Sequence, residues 1–289
     1  MKPSRMWLLG VTVSMVLPVT ACMGPQGGRS VARAAPPSQL PQDKPWTFEA
    51  RPTWRDEFDY TGLPDARKWG YDLGGEGWGN NELQYYTDSI DNAFVGDGVL
   101  TIVARKQAKE GRNYTSTRLI SKGKGDFLYG RFEVRAKLPS GRGTWPAIWM
   151  LPTDWVYGGW PKSGEIDIME HVGFDPNKIH ITAHTEAYYF KINTQKTATK
   201  VIDNAMTQFH LYRVDWTPDA IRGYIDDALV LEFRNEGKGY KVWPFDQRFH
   251  LLMNVAVGGD WGGQQGVDDQ AFPARMQVDY VRAYKLIER

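Results

Sequence analysis

The sequence predicts an all-β fold, a sandwich or barrel formed by a single domain. Three observations carry this. Short segments rich in Val, Ile, Phe, Tyr and Trp recur along the chain, turn signals built on Gly, Pro and Asp separate them, and no long stretch repeats its apolar residues with a 3.6-residue period. Many strands at short spacing without alternating helices exclude a βαβ architecture and leave sheets that must bury one face against each other.

The elements follow in order. Residues 98–106 (GVLTIVARK) and 130–138 (GRFEVRAKL) alternate apolar and polar side chains, the mark of a half-buried strand. Further strands are expected at 145–151, 165–172, 179–185, 210–216, 220–225, 229–233, 249–257 and 276–285. Gly96-Asp97-Gly98, Pro139-Ser140-Gly141, Thr217-Pro218-Asp219, Asp226-Asp227 and Gly258-Gly259 supply turns between them. Residues 188–201 and 237–243 are long and polar and read as loops, with Tyr188, Tyr189 and Phe190 expected at one end of a cleft.

The N-terminus reads as targeting rather than fold. Lys2 and Arg5 precede a short apolar run from Met6 to Pro18, too short to span a bilayer comfortably. Val19-Thr20-Ala21-Cys22 then resembles a bacterial lipobox, which predicts a signal peptide over 1–21 and lipidation of Cys22. The competing site is Ala32-Arg33-Ala34, an ordinary secretory cleavage pattern further from the apolar run. Either way the chain is expected to be exported, as a cell-envelope lipoprotein or a secreted protein. Residues 22–45, rich in Pro, Gly, Gln, Ser and Ala, cannot build a core and read as a tether. Cys22 is the only cysteine, so no disulfide is expected in the body. Residues 46–289 then form one domain.

Charge narrows the partners. Lys and Arg number 35 against 34 Asp and Glu, so the chain has no polyelectrolyte field for nucleic acid or anionic lipid, and any membrane attachment rests on the lipid. Twelve Trp in an aromatic content of 13% favour a neutral, stackable partner.

The chemistry concentrates in residues 164–172 (GEIDIMEHV). On a strand, Glu165 and Asp167 share one face, and Ile166 and Ile168 share the other. Strict alternation would then send Glu170 into the core, where an unpaired carboxylate is costly. A one-residue bulge at Ile168-Met169 restores Glu170 to the acid face and buries Met169. Three carboxylates on one face repel, so at least one pKa should rise. Two carboxyls facing each other across a middle acid supply the inventory of a retaining glycosidase, one nucleophile and one acid/base. The bland alternatives are a solvated acidic face, which would be expected to interleave Lys or Arg, and a calcium site built from carboxylates.

Glu165-x-Asp167-x-x-Glu170 resembles the E-x-D-x-x-E signature of family 16 glycoside hydrolases, in the bulged form of laminarinases. So do WPAIWML at 145–151, GWGNNELQYYT at 77–87, KGK at 122–124, YGRFE at 129–133, NVAVGGDW at 254–261 and DYVR at 279–282, in order across residues 54–285. The resemblance implies a jelly-roll β sandwich of two curved antiparallel sheets with a concave substrate cleft. It implies Glu165 as nucleophile, Glu170 as general acid/base and Asp167 as the group that tunes Glu165. The substrate implied is a neutral β-1,3-glucan cut endo-wise, with mixed β-1,3-1,4-glucan the nearest alternative, galactans further off, and a non-catalytic glucan-binding module as the reading without turnover.

Further site residues follow from spacing and from the resemblance together. Trp145 and Trp149 are four apart on one strand face and are placed in the cleft near the scissile bond; a core Trp pair is the alternative. The resemblance makes Asn81 and Arg118 donors to a sugar on the non-reducing side, against a turn residue nearby at Asn80 and a sheet-face ion pair for Arg118. His184 resembles a family histidine close to the acids; a plain satisfied histidine competes with that reading. Trp261, in the Gly-rich stretch 258–263, is expected to wall a subsite or to anchor its loop. His171 should point away from the acids. Glu57, Gly98 and Asp279 match positions at which relatives hold a structural calcium; no cofactor is expected for catalysis. The domain is expected to act as a monomer.

Overall fold

The computed structural model describes residues 44–288. The signal segment, Cys22, Ala34 and nearly all of the tether lie outside them. The described chain folds into two large sheets and one short ribbon, as the alternating segments predict.

One sheet has ten strands. Along its main path lie Ala228–Arg234, Ala220–Ile225, His210–Trp216, Gly130–Lys137, Ala274–Tyr284, Val99–Lys109, Arg112–Ser116 and Gln84–Tyr86, with Trp54–Asp56 and Ala93–Gly96 paired at its side. The second sheet runs Lys196–Val201, Lys178–His184, Glu165–Glu170, Thr144–Pro152, Phe249–Val257, Arg118–Ile120 and Gly70–Asp72, with Asp126–Phe127 on Phe249–Val257. Every named pairing is antiparallel except that of Gln84–Tyr86 with Arg112–Ser116. Trp46–Phe48 pairs with Leu286–Glu288, joining the two ends of the described chain.

The core lies between the sheets because the alternation has only that face to bury. Ile102, Phe132, Val134, Val214 and Val278 meet Ile148, Met150, Ile166, Ile181, Leu251 and Met253 across the gap, all essentially inaccessible to water. Each such side chain contributes about 1.5–3 kcal/mol of burial free energy. Trp216 stands at the centre, edge-on to Phe249 at 5.2 Å, and donates its indole N–H to the Phe245 carbonyl at 3.1 Å. The sheets pack so closely at Gly223 that a Cβ there would sit 2.5 Å from Ile181 Cγ2.

All ten strands expected from the sequence are present, shifted by a few residues at their ends. The loop expected at 188–201 needs correction. Its second half is the strand Lys196–Val201, an outer strand of the second sheet. Its Lys-Thr-Ala-Thr-Lys-Val sequence has almost no apolar face because one side of an edge strand stays in water, so hydrophobic periodicity had nothing to register. Arg118–Ile120, Gln84–Tyr86 and Gly70–Asp72 were missed for a related reason: three residues are too few to show a period.

Candidate active site

The acid strand Glu165–Glu170 lies near the middle of the second sheet, between Thr144–Pro152 and Lys178–His184. Its bulge sits where steric and electrostatic logic demanded it. Trp149 pairs with Asp167 and Ile148 with Met169, so Ile168 is the extra residue. On the other side Asp167 pairs with Thr182 and Glu170 with His180, three residues of one strand against two of its neighbour. Ile166, Ile168 and Met169 are fully buried, while Glu165 and Glu170 keep partial access to solvent. One inserted residue thus turns Glu170 from the core to the face that carries Glu165 and Asp167.

Each outer acid is held by an indole. Trp160 Nε1 donates to Glu165 Oε2 at 2.8 Å, and Trp145 Nε1 donates to Glu170 Oε1 at 3.1 Å. Asp167 sits between them and hydrogen-bonds Glu165. Burial raises all three pKa values. Glu165 is pushed up to about 7, with the Asp167 and Trp160 hydrogen bonds opposing the rise. Glu170 is pushed up to about 8, with the negative charge of Glu165 adding to burial. Asp167, 2% exposed, is raised well above its ordinary value, by burial first and then by the charges of Glu165 and Glu170. The same causes favour its protonated form.

His184 pairs with Glu165 across the strands, and its Nε2 lies 3.5 Å from Asp167 Oδ2 and 3.9 Å from Glu165 Oε1. Burial lowers its pKa to about 4, so the ring is neutral near the acids. His171 points away, fully buried, as its place in the strand requires.

Trp145 and Trp149 are both half-buried rather than core residues. Trp145 meets Trp261 edge-on at 5.4 Å, and Trp261 meets His180 edge-on at 4.9 Å. The loop carrying Trp261 packs so tightly on Trp145 that a Cβ at Gly262 would lie 2.8 Å from Trp145 Cβ. Trp261 is thus both part of an aromatic wall and the anchor of its loop. Arg118 makes the sheet-face ion pair. Its Nε lies 3.0 Å from Asp72 Oδ2, and its guanidinium lies 4.7 Å from the rings of both Trp78 and Trp149. Asn81, at a left-handed φ of 55°, donates to Asp260 Oδ1 at 2.8 Å and ties its turn to the Trp261 loop.

Sequence reasoning missed the supports of this site. Trp160 lies five residues before Glu165 and outside the quoted motifs; its ring also meets Phe190 at 5.6 Å and Tyr189 at 5.7 Å, whereas Tyr188 meets Phe233 edge-on and donates to Glu236 at 2.9 Å. Glu82 is a buried carboxylate, 6% exposed, and burial raises its pKa. It accepts from Gln84 Nε2 at 2.6 Å and from the Tyr86 hydroxyl at 3.2 Å. Asn254 donates to that hydroxyl at 3.0 Å and accepts from Trp149 Nε1 at 2.8 Å. The signal was available: Glu82, Gln84 and Tyr86 alternate, so a strand puts three polar groups on one face.

The suggested calcium residues are spread over other elements. Both oxygens of Glu57 accept from Arg282, at 2.9 and 2.7 Å, so its carboxylate is already partnered. Asp279 accepts from Arg135 and occupies the irregular step in the pairing of Gly130–Lys137 with Ala274–Tyr284. Gly98 turns at φ 75°. Among the described residues, the group of His, Asp and Glu atoms close enough to hold a metal is Glu165, Asp167 and His184, within 4.8 Å of one another. That group belongs to the acid cluster.

Three comparisons bear on this geometry. The sequence profile of "Glycosyl hydrolases family 16" matches residues 80–282. A "Beta-glucanase" of Rhodothermus marinus is 58% identical over 243 residues, covering 81% of this chain and 85% of that protein. The X-ray structure of the laminarinase from Rhodothermus marinus superposes with a TM-score of 0.82 at 56% identity, over 85% of this chain and all of that one. A crystal structure of a non-specific endo-beta-1,3(4)-glucanase gives a TM-score of 0.78 at 46% identity, over 86% of this chain and 94% of that one.

Proposed function

The chain belongs to glycosyl hydrolase family 16 and is a glycoside hydrolase of jelly-roll fold, and from that premise we propose that it cuts β-1,3-glucan internally, with retention, through a covalent glycosyl-enzyme. The observation that carries this reading is the bulged strand, which presents Glu165, Asp167 and Glu170 together with indole N–H groups fixing the two outer acids.

In the first step Glu165 attacks the anomeric carbon. Glu170, protonated because its pKa lies near 8, gives its proton to the departing glycosidic oxygen. Asp167, whose burial and acid neighbours favour the protonated form, shares a hydrogen bond with Glu165 and holds one oxygen while the other reacts. In the second step Glu170, now ionised, takes a proton from water as it attacks the ester. Stacking on Trp145, Trp149 and Trp261 suits a neutral glucan. The Arg118 charge is already matched by Asp72, which argues against a sulfated polymer. A binding module would have no use for three acids made hard to ionise.

Activity on mixed β-1,3-1,4-glucan is the second reading, favoured by the 46% identity to an enzyme described as non-specific. The test is product analysis on laminarin, lichenan and agarose, with the anomer formed first followed by NMR. Initial release of the α-anomer, or retained activity in Glu165→Gln, would overturn the mechanism. Export, lipidation at Cys22 and a monomeric state are proposed from the sequence alone. A structural calcium held by main-chain carbonyls around Glu57 and Gly98 with Asp279 has the same standing; no lowering of Tm by a chelator would count against it.

A further inference from the structure

We propose that Glu165, Asp167 and His184 hold one divalent transition-metal ion of zinc-like preference, and that this ion reversibly shuts off hydrolysis. The shut-off rests on the reading above, in which Glu165 is the nucleophile.

Geometry carries the argument. Glu165 and Asp167 stand two apart on one strand face, and His184 pairs directly with Glu165 from the neighbouring strand. One atom of each lies within 4.8 Å of the other two. His184 Nε2 is 3.5 Å from Asp167 Oδ2 and 3.9 Å from Glu165 Oε1. Asp167 Oδ2 is buried, in a side chain 2% exposed, and has no hydrogen-bond partner among the described residues. A buried carboxylate oxygen without a donor is costly, and a bound cation satisfies it. Trp160 donates to Glu165 Oε2, which leaves Oε1 on the side of the histidine. The imidazole itself is held by the rings of Trp160 at 5.9 Å and Phe190 at 6.0 Å.

The donor set selects the ion. Zinc bonds of about 2.0–2.1 Å put tetrahedral ligand atoms roughly 3.3 Å apart. The two separations from Nε2 close with shifts of roughly half an ångström, which the partly exposed Glu165 can make. Three protein ligands leave the fourth position for water. Calcium and magnesium want at least about six oxygens, whereas one imidazole with two carboxylates suits zinc, copper or nickel. The two carboxylates balance a dication, and Glu170, whose charge reaches Asp167, adds to the attraction. The Arg118 charge reaches Glu165 and opposes it, but is matched by Asp72. The ion replaces the proton of the Glu165–Asp167 hydrogen bond, and that proton goes to solvent. A Glu165 carboxylate committed to the metal cannot attack the anomeric carbon. His184 Nδ1 is buried without a partner, so the ring lacks the outer hydrogen bond that tightens zinc sites. Affinity of micromolar order follows, weak enough for the ion to leave again.

The test uses the full chain without an affinity tag, in excess calcium so that any calcium site is filled, with zinc chloride as the probe. Calorimetry on the wild type should show one zinc per chain. Zinc should raise KM for laminarin with kcat unchanged, and a zinc chelator should restore it. His184→Gln and Asp167→Asn, with Tm preserved, should each weaken zinc binding about tenfold, equivalent to about 1.4 kcal/mol. His210→Gln, which alters a histidine on the other sheet paired with Asp226, should leave zinc affinity and hydrolysis unchanged. Cobalt(II) reads the wild type without any substitution: the intense visible bands of a tetrahedral ion are expected, and the weak bands of an octahedral one overturn the site. Zinc affinity unchanged in both His184→Gln and Asp167→Asn overturns it too. So does a wild type that hydrolyses laminarin and binds no stoichiometric zinc, while the glycosidase reading stays intact. No hydrolysis by the zinc-free wild type sinks that reading and the shut-off with it.

Discussion

Trp149 Nε1 donates to Asn254 Oδ1 at 2.8 Å, and through this bond an indole facing the substrate cleft is tied to a buried carboxylate. The links behind it are the Tyr86 hydroxyl and Glu82. A Trp free to change rotamer would stack poorly; a Trp whose N–H is committed holds one plane. The same plane is one of the two that flank Arg118.

Glu82→Gln keeps the shape and removes an acceptor from this chain. The expectation is a fall of roughly tenfold in kcat/KM on laminarin, about 1.4 kcal/mol, carried mainly by KM. Glu82→Ala should lose more, because the Gln84 amide and the Tyr86 hydroxyl then lose the buried acceptor to which they donate. Steady-state kinetics on oligosaccharides of increasing length checks this. A loss confined to kcat would rule it out.

The rate should be bell-shaped in pH. Glu165 must be ionised to attack, so activity falls as pH drops below about 7. Glu170 must be protonated to assist departure, so activity falls as pH rises above about 8. The two limbs belong to the cluster rather than to single residues. A kcat/KM profile flat from pH 5 to 9 would contradict the assignment.

Stability should fall over part of the same range. Glu170 ionises at its ordinary 4.5 when unfolded and near 8 when folded, so the folded state holds the extra proton. Its favourable contribution is complete below pH 4.5 and is lost as pH rises towards 8. Glu170→Gln removes this dependence. The variant should gain in Tm at pH 8.5, by roughly 2–4 °C for each kcal/mol recovered, and gain nothing at pH 4. Equal shifts at both pH values would point to packing instead.

Deleting Met169 should undo the bulge. Glu170 would then follow Ile168 directly and keep the acid face by strict alternation, while the core would lose a fully buried side chain. Retained activity with a destabilisation of about 2–5 kcal/mol in a urea melt is expected. Met169→Leu, which conserves volume, should cost less than about 1.5 kcal/mol and stay active.

The sequence disclosed the elements that obey a period and the motif that breaks one. Val99–Lys109 and Gly130–Lys137 alternate cleanly because one face is core. The bulge was legible because strict alternation would have buried Glu170. Lys196–Val201 was hidden because an edge strand has little to bury, and the Glu82 chain was legible only in its local alternation of Glu82, Gln84 and Tyr86, because its onward links to Asn254 and Trp149 are long-range. Tyr86 and Asn254 are 168 residues apart, and no local pattern announces that they meet.

The strand Lys196–Val201 leaves one row of main-chain groups without a strand partner at the border of its sheet. Such a border invites a stray polypeptide to add itself as another strand, and lysine and threonine discourage that event. A greasy replacement at Thr197 or Thr199 would remove that guard and be penalised as precipitate in the test tube, in a protein whose core and acid strand are untouched.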